Sequence, residues 1–212
     1  MTPLHHNWRP RTGFSLVELT LVLAVGVTLA LIFTPSISNL ITNSHGERAQ
    51  GDCELIAGGV AQFYQDTGFL PGQPVSPNGQ PGAQAKRVTV LATDGELAVD
   101  RTGGSWEQGP IASVASILIG NGPGYARRGA SSKFGWNGPY LSTEVGPDPW
   151  NHRYLVNVGA ADAPGTSPDT AGQARHALWV ISAGPNGLIE TEFLQPRATA
   201  ELRGDDIGVR VR

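Results

Sequence analysis

The chain has 212 residues, of which 15 are basic and 18 acidic, so its net charge is −3 and only 16% of its residues are charged. The low charge content argues against a solvated disordered chain, and the acidic balance argues against a protein that binds nucleic acid through bulk positive charge. Glycine (28) and proline (16) are abundant but follow no collagen-like period. A single cysteine, Cys53, excludes an intrachain disulfide framework and a cysteine-rich zinc site.

The first predicted element is an apolar helix over residues 14–33, which contains one charged residue, Glu18. A helix of this length spans about 30 Å, the thickness of the hydrocarbon layer of a bilayer. The preceding residues 1–13 contain Arg9 and Arg11 and no acid, which favours a cytoplasmic location for that end. We therefore expect a single-pass membrane helix, with the remainder of the chain on the other side.

Three simpler interpretations of this helix compete. A secretory signal peptide has an apolar core of about 7–15 residues and a small-residue cleavage site, and this run is longer. A plain membrane anchor fits the length but leaves Glu18 unexplained, because a charge inside a bilayer costs roughly 2.5–3.5 kcal/mol. A buried core helix fits poorly with the basic leader. An acidic residue near the start of the span therefore needs a specific role.

The segment Gly13-Phe14-Ser15-Leu16-Val17-Glu18, followed by the apolar run, resembles the signal of type IV prepilins and type II secretion pseudopilins. The resemblance implies that a prepilin peptidase removes residues 1–13 by cutting between Gly13 and Phe14, and methylates the new amino terminus. It also implies that Glu18 pairs with the Phe14 amine of a neighbouring subunit during assembly. Residues 14–35 would then form a transmembrane and assembly helix.

The helix is expected to continue as an amphipathic helix within residues 36–71. Its apolar residues mostly recur at spacings of three and four, which places one stripe on one face: Ile37, Leu40, Ile41, Leu55, Ile56, Val60 and Phe63. The signal for its end is Gly68 followed by Pro71. The string FYQDTGFLP that closes this segment resembles the end of the long helix in major pseudopilins.

Residues 72–134 are rich in turn-forming residues and are predicted to be a variable, loop-rich insertion. A short helix over 110–119 and a strand over 88–91 are its only expected regular elements. The glycine-rich run 120–124 lacks the preceding strand and following helix of a dinucleotide-binding loop, and Pro123 argues further against one.

Residues 135–212 are predicted to form a β-sheet region. The strings GWNGPYL (135–141) and PDPWNHRYLV (147–156) resemble the aromatic segment of the major pseudopilin of type II secretion systems. Strands are predicted over 153–158, 177–182 and 207–211. The predicted fold class is α+β: a long N-terminal helix, its first half transmembrane, packed on a small antiparallel sheet, pilin-like, with a long loop-rich insertion.

A calcium site is suggested near the C-terminal end. The runs 183–187 and 204–207 resemble the calcium-binding loop of major pseudopilins, which implies ligands from Asn186, Asp205 and Asp206. Calcium takes six to eight oxygen ligands from carboxylates, amides and backbone carbonyls.

This loop departs from the family pattern in two ways. Asn186 stands where the family usually has an aspartate, and the stretch 188–203 is longer than usual. Glu190 and Glu192 are candidate replacements for the lost carboxylate. The alternative is a solvated acidic turn in which Asn186-Gly187 is a simple turn dipeptide.

No catalytic constellation is apparent. His45, His152 and His176 occupy unrelated contexts without metal-ligand spacing, and no nucleophile motif is present. The sequence therefore predicts that the protein is not an enzyme.

The resemblance implies a structural subunit of a helical pseudopilus that drives protein secretion across the outer membrane. The subunit would sit in the bacterial inner membrane with its C-terminal domain in the periplasm. Its partners would be further copies of itself, other pseudopilins, prepilin peptidase and the inner-membrane secretion platform. Two alternatives remain: a type IV pilin or minor pilin serving adhesion, DNA uptake or motility, and a membrane-anchored periplasmic binding module that uses residues 72–134.

Overall fold

The computed structural model describes residues 13–73, 87–130, 132–162 and 176–211; within these, the side chains of residues 32–39 and 162 are not described. Residues 1–12 of the predicted leader lie outside the described residues. The chain divides into two compact units, Met1–Ser44 and His45–Arg212.

One helix, α1 (Leu16–Thr67), begins in the first unit and ends in the second. The predicted end of the helix is confirmed: Gly68 adopts a φ of 80° and donates its N–H to the Tyr64 carbonyl at 2.8 Å. Glycine favours this left-handed conformation, which satisfies a carbonyl of the last helical turn. Local sequence therefore determines where α1 stops.

Two small sheets follow α1. The remaining elements, in chain order, are β1 (Val90–Ala92), β2 (Val99–Asp100), β3 (Ile111–Ser113), α2 (Val114–Leu118), β4 (Leu155–Val156), a 3-10 helix (Val158–Asp162), β5 (Trp179–Ser182), β6 (Leu188–Ile189) and β7 (Ile207–Arg210). The larger sheet has five strands in the order β3-β1-β4-β5-β7, and β2 pairs with β6 in the smaller one. The α+β class is therefore correct.

The prediction of a small antiparallel sheet is wrong for two strand pairs: β2 and β6 of the smaller sheet are parallel, and so is one pair of the larger sheet. Strands β1, β4, β5 and β7 pair antiparallel, but β1 and β3 are parallel, with Val90 opposite Ile111. The chain between β1 and β3 leaves the sheet to form β2, whose partner is β6. A chain that makes such an excursion can return in the parallel direction, whereas a tight hairpin cannot. The sheet is mixed for this reason.

The region predicted as an insertion contributes to the core of the fold. β1 and β3 lie within residues 72–134, and β1 occupies an interior position of the larger sheet. The predicted helix over 110–119 is shorter, because Ile111–Ser113 pairs with β1 and only Val114–Leu118 is helical. Ser113 begins α2 by accepting the Ser116 N–H at 3.2 Å on its hydroxyl, as a helix N-cap does.

Buried apolar residues form two clusters. In the first, the second half of α1 packs against the sheet through Ile56, Val60 and Phe63 of the predicted stripe. The stripe is wrong for Leu40, Ile41 and Leu55, whose side chains are exposed. The second contains side chains from β1, β5 and β6 together with Trp106, which is fully buried and donates its indole N–H to the Thr191 carbonyl at 2.8 Å. Residues 94–109 and the loop after β6 therefore share this second core.

Candidate functional site

The predicted processing and assembly residues lie at the start of α1. The Phe14 side chain is 87% exposed, and nothing approaches within 4 Å of the position where Gly13 would carry a side chain. The Ser15 N–H donates to Glu18 Oε2 at 3.1 Å, and the Val17 N–H donates to the Ser15 hydroxyl at 3.4 Å. Glu18 and Ser15 therefore each accept one of the free N–H groups at the beginning of the helix.

The contact between Ser15 and Glu18 was not predicted, although the sequence carries its signature. A serine followed three residues later by a glutamate, directly before an apolar run, is the pattern of a capping box. This gives Glu18 a structural role within one chain. A test of an intermolecular role must therefore separate the carboxylate charge from its capping geometry.

The helix after Glu18 exposes apolar side chains on all its faces. Eleven large apolar residues between positions 14 and 31 are 48–87% exposed: Phe14, Leu16, Val17, Leu19, Leu21, Val22, Leu23, Val25, Val27, Leu29 and Leu31. A helix that is apolar all round is normally buried, and contiguous exposed apolar surface of this kind marks an interaction site. We call residues 14–31 the apolar segment.

Among the residues that the structure describes, no helix is both long enough and apolar enough to cross a membrane.

Asn186 makes hydrogen bonds to two acidic residues of the suggested calcium loop. The Asn186 backbone N–H donates to Asp205 Oδ2 at 3.2 Å, and its side-chain amide donates to Glu190 Oε2 at 3.4 Å. The Asn186 side-chain oxygen accepts the Leu188 N–H at 2.6 Å. This last contact is an Asx turn, which occupies the oxygen that was expected to bind calcium.

Asp206 is more buried and faces a different part of the loop. Its Oδ2 accepts the backbone N–H groups of Glu190 and Thr191 at 3.0 and 2.6 Å. Burial raises the pKa of this carboxyl group, although these hydrogen bonds act in the opposite direction. Asp206 therefore organises the backbone after β6.

The loop has carboxylate oxygens without hydrogen-bond partners, as a cation site requires, but among its described residues it lacks a cluster of three acidic side chains. Asp205 Oδ1 and Asp206 Oδ1 are buried without a hydrogen-bond partner, as oxygens left for a cation would be. Within the described part of the chain, no three acidic, histidine or cysteine side chains come together as a metal-binding group. Glu192, a candidate replacement ligand, pairs with Arg203 at 2.6 Å. Backbone carbonyls would have to supply much of the coordination.

The three described histidines do not assemble into one site. His45 packs edge-on against Trp150, and His176 is buried and forms a β-bridge with Pro196. His152 lies with its Nδ1 3.9 Å from Asp148 Oδ1.

Asp148 is the centre of a buried hydrogen-bond network that sequence analysis did not assign. It accepts the backbone N–H groups of Trp150 and His152 at 3.0 and 2.8 Å, and the Ser182 hydroxyl at 2.5 Å. These contacts connect the aromatic segment to β5. Ser182 and Asp148 are both buried, and Asp148 accepts two backbone N–H groups as well as the serine hydroxyl, so a structural role accounts for these contacts.

Cys53 is fully buried on α1, and its thiol lies 3.8 Å from the Ile207 carbonyl. Burial, followed by the nearby carboxylates of Asp52 and Asp148, raises the pKa of this thiol well above its ordinary range. The cysteine is therefore a packed core residue and not an activated nucleophile.

No protein-family model, no curated protein and no solved structure matches this chain.

Proposed function

We propose that this chain is a pseudopilin-like structural subunit that assembles through its N-terminal helix into a helical filament, and that the filament drives protein secretion. The observation that carries the proposal is the apolar segment, which exposes large apolar side chains on every face and has one acidic residue, Glu18, near its start. Such a surface needs lipid or other apolar helices around it. The inner membrane supplies lipid, and a filament core supplies other apolar helices.

Processing would create the partner of Glu18. Cleavage between Gly13 and Phe14 places a new ammonium group at the start of the apolar segment. Neither an ammonium nor a carboxylate is stable alone in an apolar environment, whereas the two together neutralise each other. Pairing between the Phe14 amine of one subunit and Glu18 of its neighbour would set the stagger between adjacent helices.

The proposal includes the location and partners implied by this chemistry. Before assembly the subunit would reside in the bacterial inner membrane with unit His45–Arg212 in the periplasm. Prepilin peptidase, other pseudopilins and the inner-membrane secretion platform would be its partners. The function is mechanical, so no catalytic residue is assigned.

The test separates the charge of Glu18 from its capping contact. Glu18→Gln keeps an oxygen that can accept the Ser15 N–H but removes the negative charge, whereas Glu18→Ala removes both. In cells that contain prepilin peptidase, we expect both variants to be cleaved at Phe14, as mass spectrometry would detect, and both to lose assembly. Glu47→Gln, at an exposed position of α1, is the control and should assemble normally.

Two outcomes would contradict the proposal. If the native chain does not begin at a methylated Phe14, the processing step is wrong. If Glu18→Gln forms filaments at the wild-type level, the charge pairing is wrong, whatever the effect of Glu18→Ala on helix capping.

We further propose that the loop containing Asn186, Asp205 and Asp206 binds calcium, supported by the two buried carboxylate oxygens that have no partner. Bound calcium would neutralise the loop carboxylates and hold the chain that leads into β7. Millimolar calcium should then raise the thermal unfolding temperature of the full-length chain, and Asp205→Asn should remove the shift. Glu192→Gln is the matched control because Glu192 pairs with Arg203. An unchanged unfolding temperature of the wild type in millimolar calcium would eliminate the site.

A further inference from the structure

Four asparagines of this chain are directly followed by glycine: Asn78, Asn121, Asn137 and Asn186. Asparagine is a chemically labile residue, and a following glycine favours its deamidation, because the glycine nitrogen is unhindered and the backbone around it is conformationally free. The pair at Asn78 lies outside the described residues. The structure places the other three pairs in different surroundings, which gives them different reactivities.

Asn121 is held by hydrogen bonds at each group that deamidation would use. Its side-chain oxygen accepts the Tyr125 N–H at 2.8 Å, and its side-chain amide donates to the Tyr125 carbonyl at 2.9 Å. The Gly122 N–H donates to the Ser116 carbonyl at 2.7 Å. Attack by the Gly122 nitrogen on the Asn121 side chain requires such bonds to break, so this pair is protected.

Asn137 is exposed, but the glycine that follows it is packed. The Asn137 N–H donates to the Tyr140 hydroxyl at 2.9 Å. A methyl group on Gly138 would lie 2.8 Å from the Trp136 ring and 2.8 Å from the Tyr140 ring, so the backbone here lies directly against two aromatic side chains. Moving the Gly138 nitrogen onto the Asn137 side chain would disturb this close packing.

Asn186 is exposed, and its side-chain carbonyl is polarised by its own turn. The side-chain oxygen accepts the Leu188 N–H at 2.6 Å. A donor at this position stabilises the negative charge that develops on the oxygen when a nucleophile attacks the adjacent carbon, as in an oxyanion hole. The Gly187 N–H donates to the Gly184 carbonyl at 3.3 Å, a longer bond than the one made by Gly122. Of the three described pairs, Asn186-Gly187 is therefore the one best prepared for attack.

The neighbours of Asn186 determine what a carboxylate at this position would do. The Asn186 backbone N–H donates to Asp205 and its side-chain amide donates to Glu190. Nowhere in the described ranges of the chain do three acidic, histidine or cysteine side chains form a metal-binding group. Deamidation replaces the amide nitrogen of Asn186 by a second oxygen, so a third carboxylate would join those of Asp205 and Glu190. The affinity of calcium loops depends on the number of charged ligands.

We propose that Asn186 deamidates spontaneously in the folded chain and that the aspartate it forms completes the calcium loop. The Gly187 nitrogen attacks Asn186 Cγ and loses its proton to water. The bond between Cγ and Nδ2 then breaks, and Nδ2 takes up a proton and leaves as ammonia, which closes a succinimide ring. Water opens the ring at either carbonyl and gives an aspartate or an isoaspartate. The inference rests on the proposed calcium site.

The first experiment follows the reaction in the full-length chain, in neutral detergent and mildly alkaline buffer, with and without urea. Peptide mass spectrometry that separates asparagine, aspartate and isoaspartate measures all sites in one sample. In the folded chain, Asn186 should react roughly tenfold faster than Asn121, as expected when at least one further hydrogen bond must break at Asn121. Urea should remove this difference, because it removes the hydrogen bonds that cause it. Asn137 should also react more slowly than Asn186.

The second experiment measures calcium affinity by calorimetric titration. Asn186→Asp supplies the proposed product directly. Asn186→Gln keeps an amide but places its carbonyl one methylene further from the Gly187 nitrogen, so it is the variant that stays unmodified at this position. Asn186→Asp should bind calcium roughly tenfold more tightly than Asn186→Gln, because it has one more charged ligand. Asn137→Asp adds the same charge at an exposed position outside the loop and should leave the affinity unchanged.

Each failure has a distinct meaning. If Asn186 in the folded chain reacts no faster than Asn121, or if urea leaves their ratio unchanged, the fold does not activate Asn186 and the inference is wrong. If Asn186→Asp and Asn186→Gln bind calcium equally well, the new carboxylate is not a ligand, and the calcium proposal stands without this inference. If neither variant nor the wild type binds calcium, the calcium proposal itself fails and this inference fails with it. The filament proposal is tested separately by Glu18→Gln.

Discussion

The two halves of α1 differ in what surrounds them, although both are regular helix. Within residues 14–31, large apolar side chains are exposed on every face. In the second half, exposure follows the helical repeat: Cys53, Ile56, Val60 and Phe63 are fully buried, whereas Leu55 and Tyr64 are about half exposed. The two halves of one continuous helix are therefore suited to different surroundings. The second half is covered by its own sheet, whereas the large apolar side chains of the first half are exposed among the described residues.

The largest expected effect tests this difference directly. Phe63 is fully buried, with its ring centre 5.1–5.9 Å from the rings of Tyr125, Tyr140 and Phe69. Phe63→Ala should lower the free energy of unfolding by about 3–5 kcal/mol. Leu23→Ala, in the apolar segment, should leave that free energy within about 0.5 kcal/mol while weakening assembly. Urea unfolding followed by tryptophan fluorescence measures the first effect, and equal destabilisation by both variants would break the comparison.

The second prediction concerns Asp206, which directly precedes β7. Asp206→Ala removes the acceptor of two backbone N–H groups and should cost about 2–3 kcal/mol. Asp206→Asn keeps an acceptor and removes the charge. It should be more stable than Asp206→Ala in urea unfolding without calcium.

The pH dependence of Asp206 has a defined sign. Because burial raises its pKa in the folded state, the folded chain holds the proton more tightly than the unfolded chain. The contribution of Asp206 to stability is therefore greatest below the ordinary aspartate pKa and is lost as pH rises through the raised pKa. The free energy of unfolding of the wild type should therefore rise relative to that of Asp206→Asn as pH decreases from about 7 to 4. A difference that does not vary with pH would contradict the raised pKa.

The smallest expected effect compares two neighbouring glycines in the second half of α1, of which Gly58 is exposed and Gly59 is buried. A methyl group at Gly58 would meet nothing within 4 Å, whereas one at Gly59 would lie 3.0 Å from Leu141 Cδ2 and 3.3 Å from the Tyr140 carbonyl. Gly58→Ala should raise the free energy of unfolding by about 0.5–1 kcal/mol. Gly59→Ala should give no gain or a loss of about 1–2 kcal/mol. Stabilisation of equal size at both positions would show that Gly59 is not packed against the chain around Tyr140.

Much of the candidate site could be predicted, but not its internal arrangement. The sequence placed Asn186, Asp205 and Asp206 in one loop region, and the structure joins Asn186 to Asp205. It did not indicate that Asp206 would bind the backbone of Glu190 and Thr191, since this depends on where β6 lies. Nor did it assign the network around Asp148, whose partner Ser182 is 34 positions away.

What the sequence alone determined is local: the start and end of α1, the apolar segment with its acid at Glu18, and the approximate positions of β4, β5 and β7. These features follow from capping residues, periodicity and chain-breaking glycines within a few positions. Tertiary structure decided the parallel pair of β1 and β3 and the second core around Trp106. Each depends on contacts between segments far apart in sequence, where pairing and burial, and not local preference, determine the outcome.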